Sequence, residues 1–151
     1  MSKNKKNKKW CLVHIGNDIT YGLAFVAGEL KRLNHQIFWI DGDEKIDTLK
    51  IAEMTLKCLI ETVPSEVPGI AFLSGGQTEK EATKNLNEIN VKNKTNFIMT
   101  YSYGRALQQS ALKFWSQDIK NIKGTQEVFN HRAKMCSLAS KGKWSEEVDK
   151  I

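Results

Sequence analysis

Two short runs hold most of the chemistry that can be read from the residue types. Leu73-Ser74-Gly75-Gly76-Gln77 and Ser102-Tyr103-Gly104-Arg105 each set glycine beside a hydroxyl, where an apolar run stops and a helical pattern begins. Glycine lets the backbone approach an anion closely, and amides at a helix start point outward with a favourable dipole. Ser74 adds a hydroxyl donor, and Arg105 adds a planar guanidinium suited to phosphate oxygens. Each run alone is also an ordinary turn, because glycine and serine dominate turns. Their placement on consecutive units, about 30 residues apart, makes a shared phosphate held by Ser74, Gly75, Gly104 and Arg105 physically coherent. No G-x-G-x-x-G, G-x-x-x-x-G-K-[ST] or G-x-S-x-G occurs. The histidines His14, His35 and His131 are scattered and form no H-x-x-x-H signature, so no metal site is expected.

The elements that must position these loops alternate along the chain. Trp10 to Ile15 reads as a strand, a helix follows with Leu23, Val26, Ala27, Leu30 and Leu33 at helical spacing, and Gln36 to Ile40 reads as a second strand. Asp47 to Thr62 reads as a helix with Asp47 as its cap and Leu49, Ala52, Leu56 and Leu59 on one face. Pro64 and Pro68 forbid its continuation. Gly69 to Leu73 is a third strand, and Thr78 with Glu81 forms a capping box ahead of Ala82, Leu86 and Ile89. Asn96 to Tyr101 is a fourth strand, leading to a helix that buries Ala106, Leu107, Ala111 and Phe114 or Trp115. A last helix, from about Asp118 to Ser140, carries Ile122, Phe129, Ala133 and Cys136. Strand then helix, four times over, predicts an α/β fold of parallel β-α units. Runs with little alternation predict strands covered on both faces.

Composition narrows the function classes. The chain has 151 residues, 40% hydrophobic and 26% charged, with two prolines. That suits a globular domain and excludes collagen-like or mucin-like sequence. No apolar run approaches the roughly 20 residues of a membrane-spanning helix. The net charge of +6 invites a nucleic-acid reading. However, Met1 to Lys9 holds five lysines and no acid, and the remainder carries 18 basic against 17 acidic residues. The basicity therefore belongs to a disordered tail over 1–9, and nucleic acid is not expected as a partner beyond it. Cys11, Cys58 and Cys136 form no C-x-x-C pair or disulfide ladder, which fits a reducing, cytoplasmic setting.

Three longer stretches lift the chain out of the generic class. Thr62 to Gln77 (TVPSEVPGIAFLSGGQ), Glu81 to Asn90 (EATKNLNEIN) and Tyr101 to Trp115 (YSYGRALQQSALKFW) resemble class I fructose-bisphosphate aldolase, and Ala133 to Lys143 looks like that family's final helix. The resemblance covers about residues 47–143. It implies the last two to three β-α units of a TIM barrel, a glycolytic lyase ancestry, no cofactor, and a phosphorylated sugar as ligand. It also implies that Ser74, Gly75, Gly104 and Arg105 contact the substrate phosphate. The family's chemistry needs a lysine that forms a Schiff base with the substrate ketone. The strand lying ahead of the Asp47 to Thr62 helix, Gln36 to Ile40, contains no lysine. The strands bearing the acid/base groups and the family's terminal tyrosine are not found either, so no catalytic residue is assigned. Residues 10–43 faintly resemble the first β-α-β unit of a cobalamin-binding domain, without its Asp-x-His-x-x-Gly motif.

The expected organisation is thus a tail over 1–9, a β-α-β segment over 10–43, and an aldolase-like barrel fragment over 44–151. Three readings of function follow: an aldolase relative inactive on its own, a non-catalytic binder of sugar phosphates or other anions, or an interaction fragment that self-associates to cover open sheet edges. A complete barrel takes eight strands and typically about 250 residues, which four strands cannot close.

Overall fold

The computed structural model describes residues 47–150. The tail and the strand, helix and strand expected over 10–43 lie outside the described residues. Helix α1 spans Thr48–Thr62 and starts as expected, the Asp47 side chain accepting a hydrogen bond from the Leu49 amide at 3.3 Å. It buries Ile51, Ala52, Thr55, Leu56 and Cys58, while Leu49 stays exposed. After the two prolines comes β1, Gly69–Phe72, then α2, Glu79–Lys92; β2, Ile98–Tyr101, is followed by α3, Arg105–Gln117, and α4, Ile122–Ala139.

The two strands are parallel and flush, Gly69 opposite Ile98 and Phe72 opposite Tyr101. A parallel pair needs a crossover rather than a tight turn, and α2 supplies it. The ladder continues past both ends, Ile98 N donating to Pro68 O at 3.0 Å and Ser102 N to Phe72 O at 2.8 Å. The last of these bonds joins the starts of the two loops singled out above.

The core lies on one side of the sheet. Ala52, Leu56, Ile89, Phe97 and Met99 form one cluster with Ile70 and Phe72 against it. Leu86, Met135, Ala139 and Trp144 form a second, bridged to the first by Phe72 and flanked by Tyr101 and Tyr103. The expectation of strands covered on both faces is not met among the described residues. Side chains alternate along a strand, so Ile70, Phe72, Met99 and Tyr101 turn to the helices while Gly69, Ala71 and Ile98 turn away. Ile98 is 70% exposed, and Leu73, just past β1, is 75% exposed.

The last helix also departs from its expected start. Asn121, not Asp118, caps α4, its side chain accepting from the Gly124 amide at 3.0 Å. Asp118 instead closes α3 and accepts from the Lys120 amide at 3.0 Å. Two helix signals lie only three residues apart here, and the asparagine turn interrupts what the sequence reads as one run. Ile122 is accordingly exposed rather than core, whereas Cys136 is fully buried, as expected.

Candidate phosphate site

The two glycine loops meet. Arg105, the first residue of α3, reaches back across the strand ends and donates from Nη2 to the Gly75 carbonyl at 3.2 Å. Gly75 sits at φ 57°, the left-handed region where a side chain costs about 1–2 kcal/mol. A Cβ on Gly75, Gly76 or Gly104 would meet no atom within 4 Å, so the space above all three backbones is open. Gly75, Gly104 and Arg105 are exposed at this open surface, and Ser74 is buried beneath it. The four expected residues thus fall in two adjoining loops, with Arg105 bridging them. A guanidinium has five N–H donors, so bonding one carbonyl leaves it able to grip an anion.

The helix starts behind the loops are unlike. At α2 the Thr78 hydroxyl accepts from the Glu81 amide at 3.3 Å, while the Glu81 carboxylate accepts from the Thr78 amide at 2.8 Å. Those bonds from the Thr78 backbone and hydroxyl outweigh slight burial and hold the Glu81 carboxyl below its ordinary range. At α3 the cap is Gly104, no side chain caps the helix, and no acid lies in the first turn. The amides at the α2 start are therefore satisfied within the chain. Only α3 presents an open start; the first loop offers its Ser74-Gly75 turn instead.

Tyr103 anchors the second loop, its hydroxyl donating to the Ala82 carbonyl at 3.0 Å. Its ring lies 5.3 Å from that of Tyr101, and burial pushes its phenol well above the ordinary value. It holds its proton and serves as a strut.

A polar cluster behind the site was not foreseen. Arg132 on α4 bonds Asp149 at two points, 3.0 Å and 2.8 Å, with both side chains almost wholly buried. The Trp144 indole N–H donates to the same carboxylate at 3.0 Å, and His131 Nε2 lies 3.1 Å from it. Burial alone would raise the Asp149 carboxyl, but these hydrogen bonds outweigh it and hold it below its usual range. Glu79 lies 3.9 Å from Arg132 and bonds Ser110 on α3 through both the backbone amide and the hydroxyl. Apolar periodicity cannot signal these residues, since each interrupts it; the only cue is a lone arginine between the apolar positions Phe129 and Cys136.

A groove of about 580 Å³ also opens between α3 and α4, lined by Ala111, Leu112, Trp115 and Phe129 with neutral polar residues. Its lining presents no charged group, so the chemistry points to the loops. Among the described residues no cluster of His, Cys, Asp or Glu could hold a metal ion. No described helix is long and apolar enough to cross a membrane.

Residues 5–151 match the family described as fructose-bisphosphate aldolase class-I, glycolytic. The chain belongs to the class-I fructose-bisphosphate aldolases. The match is wider than the stretch over which the motifs are quoted above and runs through residues 10–43. A Xylella fastidiosa (strain 9a5c) protein described as "Probable fructose-bisphosphate aldolase class 1" is 48% identical over 120 residues, covering 79% of this chain and 36% of its own length. The cytoplasmic isozyme of fructose-bisphosphate aldolase from Spinacia oleracea is 50% identical over 102 residues, 67% of this chain and 29% of its own. The chain thus spans about a third of the length of these aldolases. The fructose-bisphosphate aldolase from Plasmodium falciparum, solved in complex with TRAP and a small molecule inhibitor, superposes with a TM-score of 0.69 at 31% identity, covering 89% of this chain and 44% of its own. The α/β arrangement described above is accordingly part of the aldolase TIM barrel, with β1 and β2 as neighbouring staves and the bare sheet face as its inner wall.

Proposed function

We propose that this chain binds the phosphate of a phosphorylated sugar such as fructose 1,6-bisphosphate, using Ser74, Gly75, Gly104 and Arg105, and does not cleave the sugar by itself. One observation carries the binding reading: Arg105 joins Gly75 across the two loops at an open, uncapped helix start. A guanidinium, flexible glycine backbone and unfilled helix amides make an anion site without any further group. Membership of a family acting on a phosphorylated sugar supports the ligand class.

The negative half rests on the sequence. Cleaving the carbon-carbon bond needs an electron sink at the ketone, which a Schiff-base lysine supplies and phosphate contacts cannot. Gln36 to Ile40 offers no such lysine, and Lys50 and Lys57 lie on α1 rather than on a strand. Calorimetric titration with fructose 1,6-bisphosphate, a retro-aldol assay, and borohydride trapping with mass mapping test both halves. Saturable binding without turnover or a trapped lysine is expected, and deleting Ser2 to Lys9 should leave that binding intact. A borohydride-trapped adduct with turnover above buffer would reverse the second half; binding lost with the tail would reverse the first.

The sheet face left bare among the described residues favours a second reading, that of a self-associating fragment. Ile98 and Leu73 stand exposed beside Gly69 and Ala71 on that face, and unpaired strand edges recruit further strands. Light scattering should then show a dimer or larger species; a monomer with one cooperative melt would count against it. The spinach relative is named as a cytoplasmic isozyme, and the same location is proposed here.

A further inference from the structure

Glu79 is where the three helices beyond the sheet meet. It is the first residue of α2, four positions past Gly75, and it is buried. Its carboxylate accepts from the Ser110 amide at 2.9 Å and from the Ser110 hydroxyl. Ser110 lies six residues beyond Gly104, about 9 Å along the α3 axis at 1.5 Å per residue. On the other side stands Arg132 Nε at 3.9 Å, the guanidinium that Asp149 grips at two points.

Two ties therefore join the first loop and its helix to α3. The Arg105 to Gly75 bond is exposed and sits at the helix start. It fixes α3 at its start, beside the Tyr103 anchor on Ala82. The Glu79 to Ser110 bonds add a less exposed tie further along the axis. An acid so near an anion site works against the ligand, and Arg132, which it shares with Asp149, offsets only part of that charge. Both oxygens of the Glu79 carboxylate are thus engaged by α3 rather than turned to a ligand.

We infer that Glu79 is a positioning residue for the phosphate site, fixing the α3 start against the Ser74-Gly75 turn so that Gly104 and Arg105 face the same anion. This rests on the phosphate reading above. The Arg132 and Asp149 pair is the backing of the device: it holds the guanidinium that keeps the Glu79 carboxylate in place.

The test uses the full chain, titrated calorimetrically with inorganic phosphate and followed by amide nuclear magnetic resonance. Glu79→Ala should weaken phosphate about tenfold, the range of a hydrogen bond to a charged group, and should shift the amide signals of both Gly75 and Gly104. Glu79→Gln should recover most of that affinity, because the carboxamide oxygen still accepts from the Ser110 amide. Ile89→Val, in the core, should lower the melting temperature with affinity unchanged, which separates positioning from lost stability. Should Glu79→Ala fail to fold, Ser110→Ala, at a more exposed position, carries the test with an expected loss of about threefold. A folded Glu79→Ala that binds like wild type with its Gly104 amide unmoved would overturn the role. Arg105→Ala keeps the two readings apart. Affinity lost in Arg105→Ala but kept in Glu79→Ala sinks the positioning role alone; phosphate held equally by wild type and Arg105→Ala sinks the site and the role with it.

Discussion

Helices α2 and α3 both begin where a parallel strand runs out into a loop of serine and glycine, yet one start is sealed and the other is not. Thr78 and Glu81 satisfy each other's amides at α2, so that end needs nothing from outside. Gly104 offers α3 no side chain, and the first turn holds no acid. The contrast teaches that glycine and serine at a strand end do not by themselves make an anion site. What counts is whether the chain has already spent its own carboxylate on the helix amides.

The largest effect that could break this comparison is at Arg105. On the proposed reading Arg105 would make charge-assisted hydrogen bonds to a phosphate, a class worth about 1.5–3 kcal/mol, so Arg105→Ala should weaken binding by roughly 10- to 150-fold in a calorimetric titration. Arg105→Lys should recover only part, lacking the planar two-point contact. Next come the glycines, which should separate cleanly. Gly75→Val forces a branched residue to the left-handed φ of 57° and should cost at least about 1–2 kcal/mol of stability as well as blocking the ligand. Gly104→Ala, at φ −93° with open space around it, should weaken phosphate while leaving thermal unfolding nearly unchanged.

Thr78→Ala should do the reverse of Gly104→Ala. Losing the cap should cost about 0.5–2 kcal/mol in denaturant unfolding, with phosphate affinity untouched. If that variant instead lost phosphate binding, α2 would be an anion site after all. The smallest effect is its pH dependence. Because the Glu81 carboxyl is held below its unfolded value, its stabilising share is complete above the ordinary carboxylate pKa and is lost as pH falls through the lowered folded value. The melting-temperature gap between wild type and Thr78→Ala should therefore shrink in acid; a gap constant from pH 7 to pH 3 would remove Glu81 from the cap's energetics.

The helix starts around the proposed site were legible in the residues. The Asp47 cap, the Thr78 and Glu81 box and the helix that opens at Arg105 all appear where short-range chemistry places them, because each depends on neighbours within four positions. Less legible was everything decided at long range. Strand coverage depends on which elements pack above the sheet, and the apolar runs at Gly69–Phe72 and Ile98–Tyr101 have the same composition whether one face is covered or two. Arg132, Asp149 and Glu79 are ordinary surface residues by type, and only the fold makes them partners across 17 and 53 positions.

The segment after α4 has a consequence for how the molecule opens. Residues outside helices and strands ordinarily fray at little cost. Here the Trp144 amide donates to Asn87 on α2 at 3.0 Å, and Asp149 supplies the charge that a buried Arg132 requires. Peeling this segment away would break a buried two-point ion pair and take from Arg132 its main partner. Its amides should therefore exchange with deuterium at rates set by unfolding of α2 and α4, not by local fluctuation. In exchange experiments this irregular stretch would behave as part of the same cooperative unit as the helices it ties.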